Sequence, residues 1–116
     1  MILHATTDSL EIVLAGAITT NQLPVVVAYT ELDAAAGTAT PARTRSASNS
    51  TTPATILAAP ASGKQRIVDS IVVYNKDTAA ATVLLQLNDN STVAILKRQA
   101  LAAGESLVWT RAAGWP

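Results

Sequence analysis

The chain has 116 residues, with 8 basic and 8 acidic side chains, one histidine and no cysteine. The length fits one domain, 1–116. The missing cysteines exclude a disulfide frame and thiolate metal sites, and zero net charge argues against an electrostatic grip on nucleic acid or on a membrane surface.

Charged residues make up 14% of the chain, against about 25% in ordinary soluble domains. Leu, Ile and Val together supply 29 residues, aromatics reach only 3%, and Phe is absent. A core can therefore be buried, and it is expected to be aliphatic. A surface so poor in charge is weakly solvated; burying part of it against copies of itself or a partner is the simple remedy. Residues 1–10 lack a basic start, and no apolar run approaches the ~20 residues that cross a bilayer. Neither a secretory leader nor a membrane span is expected.

Seven strands are predicted. The first is Ser9 to Ala15, with Leu10, Ile12 and Leu14 on one face. The second is Leu23 to Leu32, where Pro24 lacks an amide proton and suits an edge or a bulge. Asp33 to Thr52 follows, rich in Ala, Thr and Ser and without a periodic apolar face. It is expected to be a flexible loop or an inter-subunit arm, and it carries Arg43 and Arg45. The third strand is Ala54 to Ala59 and the fourth Arg66 to Asn75. The fifth, Thr82 to Asn88, shows Val83, Leu85 and Leu87 on one face. The sixth is Thr92 to Lys97 and the seventh Glu105 to Arg111. Asx-rich connections at 75–78 and 88–91, and a turn at Ala103-Gly104-Glu105, predict a four-stranded meander over 64–111. Many short strands and no helical pattern indicate an all-β fold. An antiparallel β-sandwich or jelly-roll-like barrel of about seven to eight strands is expected. Its exposed edges are either blunted or used for assembly.

Chemistry-bearing residues are sparse. His4 is alone, so neither a Ser-His-Asp site nor a zinc site gains support, and a solvated residue is the simpler reading. Asn88-Asp89-Asn90 lacks the glycine and the distal glutamate of a calcium loop and reads as a turn. Asp69 falls inside an apolar strand beside Arg66, which suggests a salt bridge or an inter-subunit contact. The glycines are isolated, so no phosphate-cradling loop exists. Tyr29, Tyr74, Trp109 and Trp115 are too scattered to stack bases. Trp115 can clamp the tail onto its own fold or onto a neighbour. No catalytic residue, cofactor or metal ligand is predicted, and no enzymatic activity.

Pro60 to Trp115 resembles a pattern found in small virion proteins of tailed bacteriophages and prophages. A small-residue lead-in precedes the strand Gln65-Arg66-Ile67-Val68. An apolar strand ending in Tyr74-Asn75 follows, then a Thr-Ala linker and a Thr-Val strand. The pattern closes with Leu101-Ala102-Ala103-Gly104-Glu105-Ser106-Leu107. The opening IVLAGAITTNQLPVVVAYTELD is similar to the start of such proteins, so the resemblance spans most of the chain outside the Ala/Thr/Ser segment. The chain departs from the pattern at Arg111-Ala112-Ala113, where a more polar turn is expected.

The resemblance implies homo-oligomers, often trimers, made in a bacterial host cytoplasm and placed on the virion. Such modules serve as head decoration or cement proteins, head fibres, or tail, neck and fibre components, and contact the major capsid protein or other virion proteins. A carbohydrate-binding module using Trp109, Trp115 or Tyr74 is a different reading of the same residues. Leu3, His4, Arg43, Arg45 and Trp115, expected outside the strands, are the candidate interface residues.

Overall fold

A computed structural model describes residues 1–115. Nine strands form: β1 (Ile2–Leu3), β2 (Asp8–Leu14), β3 (Pro24–Asp33), β4 (Thr38–Ala47), β5 (Ala54–Leu57), β6 (Lys64–Tyr74), β7 (Ala81–Asp89), β8 (Thr92–Leu101) and β9 (Ser106–Thr110). They make two antiparallel sheets packed as a sandwich. One sheet, A, runs β1-β6-β3-β4, with β9 also on β6; the other, B, runs β5-β2-β7-β8.

The core sits between the sheets because alternation supplies one apolar face per strand. Leu10, Ile12 and Leu14 of β2 lie opposite Leu87, Leu85 and Val83 of β7, as their spacing predicts. Val25 and Val27 of β3 lie opposite Val73 and Ile71 of β6. All of these except Leu87, which is half-buried, are shielded from solvent. Each such side chain contributes roughly 1.5–3 kcal/mol relative to exposure.

Three bulges adjust which residues point inward. In β5, Ile56 is the extra residue opposite β2, which lets the consecutive Ile56 and Leu57 both be buried. In β6, strict alternation from Val73 and Ile71 would carry the Asp69 carboxylate into the core. Asp69 is instead the extra residue between the pairs Ala28↔Ser70 and Tyr29↔Val68. The strand is re-phased, Val68 goes inward with no exposure, and Asp69 turns to the outer face. In β8 the extra residue is Leu96, between Leu85↔Lys97 and Gln86↔Ile95. Ile95 and Val93 then lie on the outer face, 54% and 46% exposed.

Two expectations are corrected. Residues 33–52 are not a flexible loop: Thr38 to Ala47 pair in continuous register with β3. The strand shows no apolar periodicity because it is an edge strand exposed on nearly its whole length. Its order comes from the backbone ladder rather than from burial. Beyond it, Gln22 accepts from the Ser48 hydroxyl and the Ser50 amide and fixes 48–50. Nor is 64–111 a meander. β7–β8 is a hairpin, but the 75–78 connection crosses from sheet A to sheet B, and the turn after β8 crosses back.

Asn75 and Asp77 explain the first crossing. Asn75 is fully buried; its Nδ2 donates to the carbonyls of Ala79 and Leu101, and its Oδ1 accepts the Asp77 amide. Asp77 accepts amide N–H groups from Thr19, Thr20, Asn21 and Thr78. These bonds tie the corner to the 19–21 loop and to the end of β8, leaving no room for a simple hairpin.

Candidate functional site

The ionisable side chains are mostly engaged in local structure. The Asp77 carboxyl is held at about 2, well under its ordinary 3.8. The Thr19 amide is the main cause; the Asn21, Thr20 and Thr78 amides add to it and outweigh the burial that opposes them. Asp8 accepts from the His4 and Ala5 amides. Glu31 pairs with Arg66 at 3.2 Å and Lys64 at 4.0 Å, and the Arg66 guanidinium lies 5.0 Å over the Tyr29 ring. Asp69 has the predicted ion pair, but with Arg111, 3.2 Å away, and it accepts the Thr30 hydroxyl. Arg66 is taken by Glu31 instead. Among the described residues no group of three or more His, Asp or Glu is placed to hold a metal ion.

A cavity of about 530 Å³ lies at the tip of the β3–β4 hairpin, lined by His4, Leu32, Asp33, Thr38, Lys64 and Gln65 among others. The His4 side chain is exposed on its rim.

The more telling feature is the outer face of sheet A. Register places Arg45, Val26, Val72 and Val108 in one row across β4, β3, β6 and β9. The next row is Arg43, Ala28, Ser70 and Thr110. Beyond the Asp69 bulge come Pro41, Thr30, Ile67 and Ile2. Val108 is 42% and Ile2 53% exposed. A solvated sheet face normally carries polar residues at these positions. Here Val26, Val72, Val108, Ala28, Pro41, Ile67 and Ile2 are apolar, Thr30, Ser70 and Thr110 add hydroxyls, and the charge is confined to the two arginines at the β4 edge and the neutralised Asp69–Arg111 pair.

The candidate interface residues separate on this geometry. Arg43 and Arg45 are exposed on the outer face of β4, within a strand and not a loop. Leu3 does not belong to a surface: it pairs opposite Arg66 in β1 and is 0% exposed, part of the core. Trp115 docks on its own fold. Its ring lies 6.1 Å from that of Trp109 at a 50° tilt, and the Gly114 amide donates to the Thr110 carbonyl to close the turn. Trp109 itself is buried and Trp115 half-buried, while Tyr74, the third aromatic of the carbohydrate reading, is 42% exposed.

Sequence reasoning did not single out Val26, Val72 or Val108, although a signal existed. The runs Val25-Val26-Val27 and Ile71-Val72-Val73, and Val108 between Leu107 and Trp109, are apolar at consecutive positions. A strand apolar on both faces has something to cover on each. No known protein family, curated protein or solved structure matches the chain.

Proposed function

We propose that this chain is a non-enzymatic structural protein of a tailed-phage particle, attaching to the outer surface of the head as a homo-oligomer and stabilising it as a decoration or cement protein does. The observation that carries the reading is the row Val26, Val72 and Val108 across the outer face of sheet A, half-buried to exposed and with no further strand or helix layered over it among the described residues. Two further points support it: the low charge content and the resemblance that Pro60 to Trp115 bears to small virion proteins. Binding through an aliphatic face depends little on salt, and symmetric repetition multiplies a modest patch into high avidity.

The test is to mix the purified chain with heads that lack it and to measure co-sedimentation at low and high salt. Saturable binding that survives high salt and is lost in Val108→Asp supports the reading. Absence of binding at micromolar concentration overturns it, and binding to isolated tails instead would move the protein to the tail, neck or fibre.

A further inference from the structure

We propose that the Thr92–Leu96 half of β8 is a self-pairing edge, on which a second copy of this chain adds its own β8 antiparallel to the first. The edges of the two sheets are unequal. An edge strand presents unpaired N–H and C=O groups and is usually blunted by proline, charge, shortness or a bulge. β4 carries Pro41, Arg43 and Arg45; β1, β5 and β9 have 2, 4 and 5 residues. β8 has ten residues, and its charges, Lys97 and Arg98, lie beyond the bulge. Thr92 to Leu96 has no charge and no proline, and among the described residues its ladder partner is β7 alone.

The bulge supplies the second argument. Without it, Val93 and Ile95 would continue the inward phase of Lys97 and Gln99. Leu96 shifts them outward, β-branched and about half exposed, at the end of an edge strand. Bulges commonly re-aim side chains at such positions.

Sequence and charge select the occupant. An antiparallel pair centred on Ala94 sets Val93 opposite Ile95 of the second copy, and Ile95 opposite its Val93. These are cross-strand β-branched pairs of the favourable kind. In that register Lys97 and Arg98 fall opposite Ser91 and Asn90 of the second copy, next to its exposed Asp89. A parallel, in-register pair would stack Lys97 on Lys97 and Arg98 on Arg98. The antiparallel arrangement is isologous and joins two four-stranded sheets into one of eight. It is a two-fold contact, so the trimers implied by the resemblance could join through it only in pairs.

The test uses the isolated full chain and no heads, so its outcome is independent of the head-binding reading. Light scattering at high micromolar concentration should give an even multiple of the monomer mass, and Ile95→Lys, at an exposed position, should halve it. The chain has no cysteine, so a single introduced thiol reports the register. Residues facing each other across an antiparallel ladder have Cα atoms about 4.5–5.5 Å apart, within disulfide reach. Ala94→Cys should therefore oxidise to a covalent dimer in high yield, while Ala112→Cys, in the exposed C-terminal turn, gives only background. A mass of one or three copies, an Ile95→Lys assembly of unchanged mass, or an Ala94→Cys yield no higher than that of Ala112→Cys would overturn the proposal.

Discussion

At one end of the sandwich Ser48, Asn75 and Asp77 are buried and hydrogen-bonded into neighbouring loops. At the other, the β3–β4 turn carries only Ala34-Ala35-Ala36-Gly37, all exposed. The same sheets run between the two ends, so the difference lies in how the chain changes direction. Crossing from one sheet to the other strands backbone groups in a buried corner, and each needs a polar partner. Turning back within one sheet leaves them in water. Four of the six crossings lie at the first end, and three of the five buried polar side chains gather there; the two crossings at the other end, 4–7 and 58–63, are held by Asp8, which accepts the His4 and Ala5 amides, and by Arg66, which donates to the Ala58 carbonyl.

The sharpest way to break this comparison is Asn75→Ala. The side chain satisfies two buried carbonyls and one amide, and nothing else in the corner replaces it. A loss of about 2–4 kcal/mol is expected in urea unfolding, a large share of a small domain's stability. A loss under about 0.5 kcal/mol, the range of an ordinary surface change, would mean that the corner does not hold the crossing.

Acid sharpens it further. The folded Asp77 carboxyl titrates near 2 and the ordinary group at 3.8. A depressed folded value means that the ionised carboxylate favours the native state. Its contribution is complete well above 3.8 and is lost as pH falls through that value towards 2. Asp77→Asn cannot titrate and keeps only one acceptor oxygen for four amides. The melting temperature of this variant should lie below that of the unaltered chain at neutral pH, and the gap should close between about pH 5 and pH 2. A gap that stays constant over that range would show that the carboxylate charge is not what holds the 19–21 loop.

These two ends also mark what can be read from residues in order along the chain. The alternation in Leu10-Glu11-Ile12-Val13-Leu14 and in Val83-Leu84-Leu85-Gln86-Leu87 reports burial directly, and it located both core strands. β4 escaped because its ten residues are ordered by backbone pairing, which leaves no apolar period in the side chains. The crossing escaped because Asn-Lys-Asp-Thr is the same signal whether the Asx side chains cap their own turn or reach loops some 57 residues away. The bulge at Asp69 had a faint signature, a carboxylate at a position that alternation would bury. The candidate surface was harder still. Leu3 and Trp115 lie near the chain ends, where exposure is a fair expectation, yet β1 packs the first into the core and Trp109 receives the second. Arg43 and Arg45 are exposed as expected, but on a strand and not a loop, and a loop reading gives no reason to look for the valine row beside them.

The smallest effect belongs to the β3–β4 turn. Gly37 has φ +66°, and a Cβ built there meets nothing within 4 Å. Gly37→Ala therefore creates no clash and leaves no buried group unpaired. What remains is the cost of holding an L-residue in the left-handed region, about 1 kcal/mol. Gly37→Asn should cost less, because asparagine tolerates that conformation. Urea unfolding of the two variants separates this backbone term from packing. If Ala and Asn cost the same, conformation is not the cause. If both approach the loss expected for Asn75→Ala, the turn is doing something besides reversing the chain, and the cavity beside it, lined by Asp33, Lys64 and His4, becomes the place to look.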